Sequence, residues 1–498
     1  MATTISRRTV LAGTAAGLFG ATRASAVAEA ASTDITAVTG VTTIDAVNGI
    51  RRTQNVLIRG NRVLDVGDLR RMPVPERARV IDGRGKFLIP GLADMHTHAT
   101  EIDPYDPEMY VVNGVTTVRQ MSSSNAVRGW RADISSGTRL GPQFLIGSAI
   151  LDGAPSLWEG LGPPYVAVAD ADQARAAVRQ ESGADFLKTY TRLSRESFHA
   201  IAAEARRIDL PFLGHVPDFV PVTEASDAGL HSIEHLFEFW YDTSRDERRL
   251  RREISRIKVA GGDYAGWFTG LHPVEYAAAR SYSRDRAARV FERLARNNTH
   301  VTPTLVLHLT CDVPQQVQHN DPRFRYASAD TLGYWQWATE NFYLKGRTPR
   351  ESAEREELFE RRLRLAGELA RAGVPLLTGS DLGTAYLLPG FSVHDELRLL
   401  VRAGLTPAQA LRAATLEPAR SLGQRDRGAI ARGQIADLVL LDADPMHDIS
   451  NVSRIDSVFV RGELIDAAAR QRLLTEIEEA FQRRPRTGAL PAAACPCG

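Results

Sequence analysis

His96 and His98 stand two residues apart at the end of the apolar run Phe87-Leu-Ile-Pro-Gly-Leu-Ala-Asp-Met95. Side chains alternate faces along a strand, so this spacing turns both imidazoles to one side, where they can grip a single metal ion. Alone, such a pair is a moderate signal, and the alternative is an ordinary surface pair. Four further candidate ligands follow downstream, each at the end of its own short apolar stretch: Lys188, His215, His235 and Asp381.

Lys188 is informative because only four of the 61 basic residues are lysines, and this one lies inside the strand-like segment Phe186-Leu-Lys-Thr-Tyr190. Burial lowers a lysine's pKa and exposes a nucleophilic amine, whereas an arginine cannot be deprotonated. A neutral amine can take up carbon dioxide and become a carbamate with two metal-binding oxygens; the alternative is a lysine paired with a nearby carboxylate. His215 ends Leu213-Gly-His-Val216 and His235 ends His231-Ser-Ile-Glu-His235. Strand alternation is expected to turn Glu234 away from the face used by His235, leaving Glu234 and His231 to orient or pack rather than ligate. Asp381, after Leu377-Thr-Gly-Ser, could bind metal, move a proton or cap a helix.

The elements that must carry these groups alternate between strand-like and helix-like segments, the signature of a parallel β/α architecture. Eight candidate strands are Phe87–Asp94, Thr116–Met121, Gln143–Ser148, Asp185–Tyr190, Pro211–Val216, Ser232–Leu236, His300–Leu305 and Pro375–Gly379. Amphipathic helices such as Ala171–Glu181 and Ser197–Arg207 precede several of them. Eight such units close a TIM-type (β/α)8 barrel, in which function gathers at the carboxyl ends of the strands, where all the candidate ligands fall. The barrel is expected over residues 87–418. Long connections over 237–286 and 306–357 should rise over its catalytic face. Their aromatics, including Trp240, Tyr241, Trp267 and Trp335, are expected for the most part to pack the inserted helices. Alternating segments over 34–86 and 419–466 predict a small β-sandwich domain built from both chain ends. A helix and a loose tail should follow over 467–498.

With 498 residues the chain exceeds the roughly 250–300 at which single cores stop growing. Its 61 basic and 60 acidic residues give nothing to drive binding to nucleic acid or anionic membranes. Past the N-terminus no apolar run reaches the roughly 18 residues of a membrane-spanning helix. The three cysteines, Cys311, Cys495 and Cys497, make neither a disulfide framework nor a thiolate metal site of the usual spacing. Residues 1–28 are read as a signal peptide: Ser6-Arg7-Arg8 leads into small apolar residues, then Ala24-Ser25-Ala26 and Ala26-Val27-Ala28 cleavage patterns. This resembles a twin-arginine export signal, which predicts a periplasmic or extracellular protein that folds before crossing the membrane.

Seven motifs in order carry a wider resemblance: Pro90-Gly-Leu-Ala-Asp-Met-His-Thr-His98, Gly114-Val-Thr-Thr-Val-Arg119, Gly183-Ala-Asp-Phe-Leu-Lys-Thr-Tyr190, Ser232-Ile-Glu-His235, Pro303-Thr-Leu305, Thr378-Gly-Ser-Asp381 and Gly433-Gln-Ile-Ala-Asp-Leu438. The chain is similar to the metal-dependent amidohydrolase superfamily, in particular its imidazolonepropionase-like and prolidase-like dipeptidase branch. The resemblance implies two divalent ions, with zinc expected. His96, His98 and Asp381 would hold one and His215 and His235 the other, with carboxylated Lys188 bridging them. It implies a metal-bridging hydroxide, formed from a water whose pKa falls towards about 7, and Asp381 as the proton shuttle to the leaving amine. Tyr190 and His308 are candidates for binding the substrate carbonyl or carboxylate, with plain packing as the alternative.

The expected activity is hydrolysis of an amide bond in a small substrate such as a dipeptide or an N-acyl amino acid. The same centre could open a lactam or lactone, or cut an ester, carbamate or phosphotriester, and a metal-stabilised scaffold without catalysis is a third reading. The expected partners are a small-molecule amide substrate and further copies of the chain in a homo-oligomer. Nucleic acid and stable membrane association after signal removal are not expected.

Overall fold

The computed structural model describes residues 35–99 and 105–484. The export signal assigned to residues 1–28 and the tail beyond 484, with Cys495 and Cys497, lie outside the described residues. Among the described residues no helix is long and apolar enough to cross a membrane.

Seven parallel strands pair in chain order around the barrel: Leu92–Thr97, Val115–Gln120, Gln143–Gly153, Phe186–Thr189, Phe212–Gly214, Ser232–Glu234 and His300–Thr302. The expected eighth strand, Pro375–Gly379, is present as an irregular stave rather than a ladder. On one side Val301 N donates to Pro375 O (3.0 Å) and Leu377 N to Val301 O (2.9 Å). On the other, Met95 N donates to Thr378 O (2.8 Å) and Asp381 N to His96 O (2.7 Å). The ring therefore closes through single bridges. Pro375 has no amide hydrogen to add to a ladder, and Thr378 N turns outward to Ala413 O (3.0 Å).

The first expected strand, Phe87–Asp94, is in fact divided between two sheets. Phe87–Pro90 pairs antiparallel with Leu438–Leu441 in the second sheet, whereas Leu92–Thr97 opens the barrel. The crossing falls at Gly91, where a Cβ would sit 2.2 Å from Thr116 Oγ1, so only glycine lets the chain pass. The apolar run is continuous because both halves are buried, which hides the division from a periodicity argument.

The second sheet combines Ile35–Asp45, Gly49–Arg59, Arg62–Asp68, Arg79–Asp82 and Phe87–Pro90 with Leu438–Leu441, Ile455–Val460 and Glu463–Ile465. Both chain ends thus build one β unit. It curls until Val63 N reaches Gln434 O (2.9 Å), enclosing Val38, Val41, Val56, Leu88, Leu440 and Phe459. Arg461 and Gly462, both at positive φ, make the two-residue turn of its last hairpin.

Helices cover the barrel with their apolar faces inward. Ala171–Gln180 starts where Asp170 accepts from Asp172 N and Gln173 N, and it buries Ala174, Ala177 and Val178. Arg195–Arg207 starts at Ser194 and buries Phe198, Ile201 and Ala205. The two long connections are helical. The first contains Phe239–Thr243, Glu247–Ile254 and Tyr264–Arg280; the second starts within Leu305–Asp312, contains Ala329–Ala338 and runs into Pro349–Arg371, which continues past its expected end to the last stave. Trp240, Tyr241, Trp267 and Trp335 are buried among them.

Candidate metal centre

His96 is the penultimate residue of the first barrel strand, Leu92–Thr97, and His98 lies just beyond it. Asp381 follows the irregular stave opposite. Its Oδ1 is 3.2 Å from His96 Nε2 and 3.5 Å from His98 Nε2, while its Oδ2 is 3.8 Å from His235 Nε2. His96, His235 and Asp381 form a buried group whose ligand atoms all fall within 4.8 Å of one another. The His215 ring centre is 4.8 Å from that of His235, extending the group to a fourth imidazole. Lys188 is fully buried in the fourth strand, and its charge acts on Asp381, His96, His98 and His215. All six predicted ligands therefore converge at one end of the barrel.

Gly379 makes this convergence sterically possible. A Cβ there would stand 2.5 Å from Thr302 Cγ2 and 2.8 Å from His96 Cβ, so any side chain would push the stave off the first strand. His235 (φ 67°) and Asp381 (φ 59°) are both left-handed, a backbone state that costs a non-glycine residue about 1–3 kcal/mol and clusters at functional sites.

The imidazoles share one arrangement. Each Nδ1 faces a protein group: Glu234 Oε2 for His96 (2.8 Å), Ser122 Oγ for His98 (3.4 Å), Thr191 Oγ1 for His215 (2.9 Å) and Thr304 Oγ1 for His235 (2.6 Å). All four Nε2 atoms and both Asp381 oxygens are buried without a hydrogen-bond partner among the described residues. Burial holds the histidines in the neutral form that ligates metal: His98 is pushed down to about 3, and His96, His215 and His235 well below their usual range. Burial also drives the Asp381 carboxyl well above the usual carboxylate range, so an ionised Asp381 needs a cation beside it. Buried polar atoms left unsatisfied are expensive. Five donor groups with free lone pairs aimed at one another fit divalent metal.

Glu234 orients rather than ligates, as expected, but it does not turn away from the site: its carboxylate grips His96, and the left-handed backbone at His235 lets two consecutive side chains reach the cluster. The other Glu234 oxygen accepts from Arg119 Nη2 (2.7 Å), and Ser232 Oγ also bonds it. Arg119, wholly buried, also donates to Met95 O (2.6 Å), Ser232 Oγ (3.0 Å) and Thr302 Oγ1 (3.2 Å), tying four barrel segments together beside the candidate ligands. Asp94 acts in a related way, accepting from Ser380 N (2.9 Å) and Ser380 Oγ (2.5 Å), which fixes the turn carrying Asp381. Arg119 and Asp94 escaped the sequence reading, although a charged residue within an apolar strand was the available signal. His231 packs outside, bonding Ser421 and stacking on His300.

Tyr190 and His308 both adjoin the cluster. The Tyr190 ring lies 4.2 Å from that of His215, and the His308 ring is 6.4 Å from that of His235 and 4.9 Å from that of Phe237.

Residues 87–465 match the model of the amidohydrolase family. The chain belongs to that family. Among curated proteins it is 43% identical over 83 residues to an imidazolonepropionase from Deinococcus deserti, covering 16% of this chain and 21% of that protein. It is 40% identical over 84 residues to an N-acyl-D-aspartate deacylase from Alcaligenes xylosoxydans xylosoxydans, covering 16% of each. The matches thus span about a fifth or less of these relatives. Solved structures cover far more: a bottromycin amidohydrolase superposes with a TM-score of 0.71 at 24% identity, over 93% of this chain and 94% of that one. A Xaa-Pro dipeptidase superposes with a TM-score of 0.62 at 18% identity, over 87% of this chain and 100% of that one. At such identities the likeness is one of fold.

Proposed function

We propose that this amidohydrolase cleaves a C–N bond in a small amide, a dipeptide or an N-acyl amino acid, at a centre of two divalent cations. The observation that carries the reading is the convergence of four imidazole Nε2 atoms and the Asp381 carboxylate, all buried and unsatisfied, each imidazole oriented through its Nδ1. His96, His98 and Asp381 would hold one cation and His215 and His235 the other, with Lys188, carboxylated, between them. Bound there, divalent cations supply Lewis acidity to the scissile carbonyl and lower the pKa of the attacking water.

The chain's own residues do the rest. Asp381 accepts a proton from the nucleophile and returns it to the leaving amine, a role suited to a carboxyl whose burial raises its pKa. Glu234 and Arg119 hold the His96 ring in place, while Thr191 and Thr304 do so for His215 and His235. The helical connections close over the barrel mouth and exclude bulk water, which strengthens every charge interaction inside.

The test is reconstitution of the chelator-treated protein with zinc and bicarbonate, followed by a screen of dipeptides, N-acyl amino acids and ester chromogens. Release of free amine from amide substrates is the expected result. A protein that loads two metals yet cleaves no amide would overturn the reading.

A further inference from the structure

The proposed reading leaves the far end of the substrate without a partner, and the roof of the site holds a group suited to it. Arg362, on the helix Pro349–Arg371 that leads from the second long connection into the last stave, is fully buried. Its Nε donates to Asp312 Oδ2 (3.0 Å) and its Nη2 to Glu275 Oε1 (2.7 Å), so two buried carboxylates from different helices fix the plane of the guanidinium. The guanidinium carbon lies 5.0 Å from the centre of the Phe237 ring, which is itself 5.7 Å from the His235 ring and 4.9 Å from the His308 ring. One aromatic ring thus separates the guanidinium from a candidate metal ligand.

Nη1 of Arg362 has no hydrogen-bond partner among the described residues. Neither do the Tyr241 hydroxyl, Glu238 Oε2 or either ring nitrogen of His308, and the Arg362 charge acts on all three residues. A roof needing only to pack would be more stable with apolar residues here, because a buried guanidinium is worth keeping only where all its donors are used. Asp312 is shared with Arg355 (3.6 Å), and Arg347 donates to the Asp312 carbonyl (2.9 Å), so the two carboxylates do not leave the roof acidic. Burial pushes the Glu238 carboxyl well above the usual carboxylate range, which disfavours its charged form beside the guanidinium. The unused guanidinium edge matches a carboxylate better than any other common substrate group.

We propose that Arg362 is a specificity-determining residue that selects substrates carrying a free carboxylate beyond the scissile amide, with Nη1 donating to one carboxylate oxygen and the Tyr241 hydroxyl to the other. The inference rests on the amide-hydrolase reading of the metal centre, which places the reacting carbonyl below this roof.

The test uses product binding, which needs no turnover. Isothermal titration of the zinc-loaded enzyme with the twenty L-amino acids and their amides should find acids bound at least tenfold tighter than the matching amides. Arg362→Gln should weaken the best acid roughly 100-fold, the order expected when one partner of a buried charge pair is removed, while leaving its amide nearly unchanged. Tyr241→Phe should weaken the same acid less, and Arg362→Lys should keep part of the preference. Should Arg362→Gln fail to fold, the Lys and Phe variants carry the test. Acids and amides bound alike, no acid bound at all, or a preference untouched by these variants would each overturn the proposal. A preserved acid preference in an enzyme that hydrolyses no amide would instead reject the catalytic reading and leave the role of Arg362 standing.

Discussion

Glu234→Gln separates orientation from ligation at His96. The carboxylate only accepts hydrogen bonds, so its Oε2, 2.8 Å from Nδ1, holds the ring hydrogen on Nδ1 and leaves the Nε2 lone pair free for metal. A glutamine keeps the shape and can still accept from Arg119, but it turns an amide NH2 towards Nδ1 and favours the opposite tautomer, with the hydrogen on Nε2. Losing such an orienting partner weakens metal affinity by about 10–100-fold, or about 1.4–2.8 kcal/mol. The change also removes the charge facing Arg119, which is fully buried. Breaking a buried pair in this way costs about 3–5 kcal/mol of stability, moderated here by the other acceptors of Arg119. The assay is competition of zinc or cobalt between the variant and a chelator, with calorimetric melting of the metal-free protein alongside. A folded Glu234→Gln variant that binds metal as tightly as the parent would refute the tautomer argument.

Further outcomes follow from the same geometry. Lys188→Arg keeps a cation but cannot form a carbamate, so it should lose the second metal equivalent and activity together; an active, fully loaded Arg variant would exclude the bridge. Asp381→Asn should reduce turnover more than metal content, and parallel losses would remove its proton-transfer role. Gly379→Ala places a Cβ 2.5 Å from Thr302 Cγ2 and 2.8 Å from His96 Cβ, so it should cost about 1–3 kcal/mol in the melting of the apo-protein and impair metal loading. His394, away from the metal ligands, is held down to about 3, first by burial, and its Nε2 donates to Asn113 O (2.9 Å). Unfolding lets it take a proton below about 6.5, so the stability of the parent relative to His394→Gln should fall by about 1.4 kcal/mol per pH unit from there towards pH 3. Parallel denaturation curves across that window would contradict this assignment.

The convergence of the six candidate residues was legible in the sequence because each lies at or near the end of an apolar strand and strand ends meet in a closed barrel. The two-sheet division of Phe87–Thr97 was not, since burial on both sides erases periodicity and only the close approach at Gly91 marks the crossing. The eighth stave was placed correctly along the chain, but its irregularity depends on tertiary contacts of Thr378 and Gly379. The orienting role of Glu234 was legible but its partner His96 was not, because a left-handed residue at His235, which no local pattern announces, turns Glu234 to the cluster as well. Arg119 and Asp94 reach partners more than a hundred residues away, which spacing along the chain cannot reveal.

Every step proposed for the barrel mouth depends on two divalent cations bound there. Elemental analysis of the purified, folded protein after exhaustive dialysis measures this directly. Close to two equivalents of a divalent metal per chain are expected, falling sharply in a protein that lacks His215 and His235. Absence of stoichiometric metal under conditions where the protein is folded and supplied with zinc and bicarbonate would contradict a two-cation centre.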